Sequence, residues 1–244
     1  MTPEFDDYEW TVCSPDLATT SVINKLNFSL AIQLSSKWLS NNNKQININN
    51  CNDPVIHSVN ENFVKAFSSA HCDGRFQKFQ LNGINFFLDG AHTKESLVIC
   101  GNWFQQQVQQ KSSSINILLF NLTGDRDSES MLKSVHPLGF HHVIFTTNIP
   151  TKSKKSNKHN SENFHLTLKN TQLERCQAHQ KIWFALDESQ NSNANGNNVC
   201  ETIQQALELI YNIKDNNEVT INVLVTGSLH LVGATLGLLD KSRV

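Results

Sequence analysis

The sequence predicts an α/β protein with a mostly parallel sheet, and two observations carry that prediction. Short apolar runs alternate with helical stretches of roughly 10–15 residues, the pattern of βαβ units. The runs are apolar almost throughout, as strands are when helices cover both faces of a parallel sheet. A helical portion with few strand signals comes first. The predicted organisation is therefore a helical amino-terminal part over residues 1–70 and an α/β domain over residues 71–244.

Each element follows from local pattern. Ser21 to Leu39 places Ile23, Leu26, Leu30, Ile32, Leu34 and Leu39 at spacings that fit a helix better than a strand. Asn41 to Pro54 is Asn-rich and reads as an inserted loop. Val59 to Ala70 reads as a second, short helix. From Gly74 the pattern changes. Residues 84–88 form a strand that ends at Asp89-Gly90, followed by a helix from Thr93 to Gln110. Ile115 to Leu122 is a strand ending at Thr123-Gly124, and Asp127 to Val135 is helical. His142 to Thr146 is the third strand. Helices are expected at Gln172 to Trp183 and Val199 to Ile213. Ile221 to Val225 is the fourth strand, and Ser228 caps a closing helix that reaches Leu239. Two polar tracts, Thr151 to Asn163 with its four Lys and Asp187 to Asn198, read as solvated loops.

Composition excludes several classes. Of 244 residues, 20 are Lys or Arg and 22 are Asp or Glu, a formal net charge of −2. That balance argues against a nucleic-acid footprint or a polybasic membrane surface. No apolar run approaches the roughly 20 residues of a membrane helix. The first ten residues, MTPEFDDYEW, are acidic and lack an apolar core, so neither a secretory signal nor an Arg-rich presequence is expected there. The six cysteines are scattered and form no C-x-x-C pair, which fits reduced thiols in a cytosolic-type compartment.

Chemistry is expected at the carboxyl ends of the strands, where open parallel sheets bind ligands. Three strand ends carry unusual residues: Asp89-Gly90-Ala91-His92, Thr123-Gly124-Asp125-Arg126-Asp127, and Thr226-Gly227-Ser228-Leu229-His230. A helix N-terminus following such a turn offers free N–H groups to an anion. Asp89 reads either as a carboxylate toward a nucleotide or its metal, or as the cap of helix 93–110. His92 suits a phosphate contact or proton transfer, and equally a surface position. Asp125, Arg126 and Asp127 suit a phosphate or metal neighbourhood, or an ion pair within the loop. Arg75 lies on a loop before the first strand and means nothing alone. Ser228 reads as a substrate contact or a simple cap. The sequence contains no G-x-x-x-x-G-K-[ST] phosphate loop, no G-x-G-x-x-G and no G-x-S-x-G elbow.

Taken together, these motifs resemble a known family. Gly74-Arg75, Asp89 to Thr93, and the helix carrying Cys100, Trp103 and Phe104 resemble the carboxy-terminal domain of folylpolyglutamate synthase, of the Mur ligase superfamily. Ile117 to Asp127 and Val223 to Asp240 resemble that family's next strand-and-loop and its terminal strand and helix. The resemblance implies a Rossmann-like, mostly parallel sheet flanked by helices. Residues 1–70 would then be a helical remnant of the amino-terminal P-loop domain. The implied reaction is ATP-dependent addition of L-glutamate to the γ-carboxyl of a folate's glutamate, through phosphorylation of that carboxylate. ATP, Mg²⁺ and K⁺ are the implied cofactors, and a P-loop domain facing this one is the implied partner. By the same resemblance Asp89 contacts ATP near the ribose or adenine and Arg75 near the phosphates. His92 approaches the γ-phosphate, and Ser228 the incoming glutamate. A nucleotide-binding fragment without turnover, or a dihydrofolate synthase with a different acceptor, are the alternatives. The family's habit implies a cytosolic or mitochondrial location.

Overall fold

The computed structural model describes residues 4–10, 22–41, 58–59, 61–70, 72–108, 114–124, 126–152, 159–190 and 197–241. They fall into two compact units, Met1–His71 and Cys72–Val244.

The first unit holds α1 (Val22–Asn41), α2 (Glu61–Ser69), and two short parallel strands, β1 (Glu9–Trp10) and β2 (Ser58–Val59). Its core is aromatic. Phe28 and Phe67 stack with ring centroids 4.3 Å apart, beside buried Phe5 and Val64. Ile32, Tyr8 and Val59 form the neighbouring cluster. The Tyr8 hydroxyl is not left dry: it donates to the Ser29 carbonyl at 3.2 Å and accepts from Gln33 Nε2 at 3.0 Å. α1 is apolar on a second face as well. Leu26, Leu30 and Leu34 recur every four residues and are 61, 49 and 59% exposed.

The second unit is built on six strands: β3 (Gln77–Leu81), β4 (Ile84–Leu88), β5 (Ser114–Phe120), β6 (His142–Thr146), β7 (Asn197–Cys200) and β8 (Thr220–Thr226). Their order is β3-β4-β8-β5-β6-β7, with only the β3–β4 pair antiparallel. The helices are α3 (Lys94–Val108), α4 (Ser128–Val135), α5 (His159–Gln190), α6 (Ile203–Asp215) and α7 (Leu229–Lys241). Alternate strand residues feed two cores, as a period of two requires. Ile84, Phe86, Ile117, Leu119, Val223 and Val225 pack under α6 and α7. Phe87, Leu118, Phe120, Val143, Phe145 and Leu224 pack under α3, α4 and α5. Helices therefore lie on both faces, and the predicted α/β architecture is the observed one.

Three elements correct the sequence reading. β3 lies in a stretch to which the sequence reading assigns no strand; its burial alternates at the edge of the sheet, so it lacks a continuous apolar run. The signal was the Asn82-Gly83 pair, whose φ values of 49° and 75° make a two-residue hairpin turn. β7 was read as loop and helix start; α6 begins only at Ile203, where Thr202 Oγ1 accepts from Gln205 N at 3.2 Å. α5 runs 32 residues instead of Gln172 to Trp183, taking in parts of both tracts read as loops. Cys176, Ile182 and Trp183, which pack in the second core, lie within the predicted stretch.

Candidate functional site

Because β8 lies between β4 and β5, the three unusual strand ends stand side by side. Asp89 N continues the ladder onto the Val225 carbonyl at 3.1 Å. Gly227 takes φ 98°, and a Cβ there would sit 2.4 Å from the Asn121 carbonyl oxygen. Only glycine lets the β8 loop lie that close to the end of β5.

Asp89 is almost fully buried, and both oxygens are engaged. Oδ1 accepts from Ala91 N at 2.9 Å and Oδ2 from Phe76 N at 3.0 Å. The carboxylate thus ties its own loop to the Arg75-Phe76 loop, where Phe76 holds an unusual φ of 45°. Burial pushes its carboxyl above the ordinary range, opposed by the Phe76 hydrogen bond, the Arg75 charge and the Ala91 hydrogen bond. Asp89 does not cap α3. Thr93 does, with Oγ1 accepting from Ser96 N at 3.2 Å. Arg75 is exposed and stands beside Asp89 closely enough to favour its charge.

His92 is fixed by its own turn. Nδ1 lies 2.9 Å from the Gly90 carbonyl, an acceptor only, so Nδ1 carries the proton and Nε2 presents a lone pair. Its backbone N–H donates to Ser96 Oγ at 3.0 Å. Arg126 crosses the end of β8 to donate from Nη1 to the His92 carbonyl at 2.7 Å. That contact joins the first and second loops. Asp127 caps α4, accepting from Ser130 N at 3.0 Å. Asp125 lies outside the described residues. Ser228 is buried and caps α7: Oγ accepts from His230 N at 3.2 Å and its carbonyl from Val232 N at 3.1 Å. A polar cleft of about 510 Å³ opens beside the second loop, lined by Lys94, Asp127, Glu129, Ser130, Lys133 and Ser134. Among the described residues, no group of three His, Cys, Asp or Glu is placed to hold a metal ion.

Sequence reasoning missed the support from α5. Arg175 Nη1 donates to the Leu122 carbonyl at 3.2 Å, and Gln172 Oε1 accepts from Asn148 N at 2.9 Å. Their spacing of three residues on one helix was the available signal. The arrangement can present an exposed guanidinium, a lone-pair nitrogen and turned backbone to a polar, anionic ligand.

Residues 73–238 match the family described as dihydrofolate synthetase, C-terminal domain. The mitochondrial folylpolyglutamate synthase of Bos taurus is 31% identical over 225 residues, covering 69% of this chain and 38% of its own length. The folylpolyglutamate synthase of Saccharomyces cerevisiae is 30% identical over 236 residues, covering 93% of this chain and 40% of its own. The chain thus spans 38 to 40% of the length of these relatives. A Mycobacterium tuberculosis folylpolyglutamate synthase complexed with ADP and AMPPCP superposes with a TM-score of 0.51 at 17% identity, covering 75% of this chain and 36% of that one. That likeness is one of fold. With its second unit matched nearly end to end, the chain belongs to the dihydrofolate synthetase C-terminal domain family.

Proposed function

We propose that this chain supplies the carboxy-terminal wall of the nucleotide site in an ATP-dependent amide-forming ligase of the folylpolyglutamate synthase type. Its reaction would add L-glutamate to the γ-carboxyl of a folyl-glutamate. One observation carries the reading: Arg75, Asp89 and His92 lie on two loops that the Asp89 carboxylate ties together at the carboxyl end of β4, beside the end of β8. The names of the relatives and the ADP held by the Mycobacterium tuberculosis enzyme support it.

The residues present fit a nucleotide. ATP, when bound, supplies the phosphoryl group that activates a carboxylate for amide formation. Arg75 offers the phosphates a permanently charged fork, held in place because Asp89 fastens the adjoining Phe76 N–H. Asp89 orients the loop toward the ribose or adenine end. His92, with Nδ1–H tied to Gly90, keeps Nε2 free to take a proton near the γ-phosphate. Ser228 uses Oγ as an acceptor for its cap and retains its proton to donate to the incoming glutamate's carboxylate. Arg126 donates from Nη1 to the His92 carbonyl and, being exposed, can turn its charge to an anion; Asp125 and Asp127 adjoin it in sequence. Among the described residues no three His, Cys, Asp or Glu are placed to hold Mg²⁺, so its ligands would come with the P-loop half. The reading requires a P-loop phosphate cradle from outside this sequence. The reading allows the cytosol or the mitochondrion, and the name of the Bos taurus relative supports the latter. Among the described residues no helix is long and apolar enough to cross a membrane.

Calorimetric titration of the purified chain with MgADP tests the nucleotide wall. Wild type is expected to bind, and Arg75→Ala to weaken binding roughly tenfold or more, the loss of a charge-assisted contact. A folded wild type that takes up no MgADP overturns the reading. The family's description favours a second acceptor, a pteroate carboxyl, as in a dihydrofolate synthase. Labelled-glutamate incorporation into tetrahydrofolate or dihydropteroate, with the P-loop half supplied, separates the two.

A further inference from the structure

His179 sits on α5 with its ring fully buried between Phe120 and Phe145, at centroid distances of 6.0 and 5.9 Å. An apolar side chain would fill that slot without desolvating an imidazole. The imidazole even leaves Nδ1 with no hydrogen-bond partner. What it gains is one contact, Nε2 to Ser128 Oγ at 3.1 Å. Ser128 is the residue after the GDRD stretch, and its hydroxyl donates to the Arg126 carbonyl at 3.4 Å. Arg126 in turn donates to the His92 carbonyl at 2.7 Å. A ring proton on Nδ1 would be a buried donor with no acceptor, whereas on Nε2 it meets Ser128 Oγ and leaves the hydroxyl proton to Arg126. The bond to His179 therefore needs the ring proton on Nε2, which leaves Nδ1 as the bare acceptor.

A continuous chain of contacts thus runs from the interior to His92: His179, Ser128, Arg126, His92. We infer that His179 is a positioning residue, which holds the loop after β5 and, through Arg126, fixes the His92 turn; its importance for activity rests on the nucleotide reading above. Burial, and then the Arg175 charge, lower the imidazole to about 4, so the ring stays neutral and the contact does not switch near neutral pH. Arg175, from the same face of α5, holds the Leu122 carbonyl just before the loop. The loop is therefore clamped from the inside at both ends.

The test needs no ligand. Long-range ¹H–¹⁵N correlation on the labelled full chain reads which nitrogen of His92 carries the proton, and amide exchange reads the loops at residues 90–93 and 123–128. In wild type the His92 proton is expected on Nδ1. Ser128→Ala and His179→Phe are each expected to shift His92 toward the Nε2–H form. Each should also speed exchange in both loops roughly fivefold, the loss of one net hydrogen bond. The double variant should do no more than either single one. His179→Gln, which restores a donor, should return the wild-type His92 signal in the Ser128 background and not in Ser128→Ala. An unchanged His92 signal in Ser128→Ala, or effects that add in the double variant, would overturn the inference. So would a wild-type His92 ring already protonated on Nε2. Ser128→Ala lies at the loop and outside the core, so the test stands even if His179→Phe fails to fold. Absent MgADP binding would sink the nucleotide reading and leave this result intact.

Discussion

Asp89 shows what a residue type conveys and what it withholds. An Asp before a Gly at a strand end marks a polar turn, and the turn is there. That its two oxygens hold Phe76 and Ala91, and not the N-terminus of α3, depends on a second loop arriving from thirteen residues away. His179 gave no signal at all, because a lone His on an apolar helix face reads as core. It has a measurable consequence. Unfolded His binds its proton below about 6.5, native His179 only below about 4. Between these values the unfolded state holds more protons, so stability rises with pH through the window and is lost on acidification. The span corresponds to roughly 3 kcal/mol. Denaturant melts at pH 4.5 and 7 should show most of that loss in wild type and a flatter profile in His179→Phe. Asp89 acts with the opposite sign: its carboxyl is raised, so its share of stability falls as pH rises through its native value. Gly227→Ala should cost roughly 2–4 kcal/mol, from the positive φ and the contact with the Asn121 carbonyl together. A thermal shift of a few degrees or less would show that the loop simply moves aside.

Elements were legible where their apolar period was strong. The four strands read as continuous runs lie in the sheet interior between β3 and β7, and the two strands missed are its edges. Edge strands keep one side in water and carry polar residues, which erases the signal. At the strand starts, away from the candidate site, the sheet carries an amide ladder that no pattern suggested. Asn85 Nδ2 donates to Asn222 Oδ1 at 2.9 Å, and Asn222 Nδ2 to Asn116 Oδ1 at 3.0 Å. The three are register partners on neighbouring strands. Asn222 is 3% exposed and satisfies both others. Asn222→Val should therefore cost roughly 2–4 kcal/mol, since two partners are left unpaired. Changing all three to Val should recover most of that, because no orphan remains. Urea unfolding midpoints check both, and a triple variant worse than the single one would reject the ladder as the cause.

At the scale of the molecule, the second unit has two covered faces and a polar site edge, whereas the first unit leaves an apolar stripe on α1. Leu26, Leu30 and Leu34 align because residues four apart share a helix face. A contiguous exposed patch of this kind promotes association. Sedimentation of the purified chain is expected to show concentration-dependent association that Leu30→Glu with Leu34→Glu reduces. A wild-type monomer at all concentrations would show the stripe to be harmless.

The sequence by itself determined the α/β class, the order of the interior strands and helices, and the three Gly-marked strand ends. Each of these is a local property: hydrophobic period, turn chemistry and helix length act within a dozen residues. The tertiary structure decided which strand ends meet. Residues 89–92, 123–124 with 126–127, and 226–230 share one edge only because β8 inserts between β4 and β5. It also decided that Arg126 reaches His92 and that His179 lies beneath Ser128. Such pairings are set by strand order and by which helix face packs inward. Those follow from burying two apolar sheet faces at once, a condition on the whole chain that no local window contains.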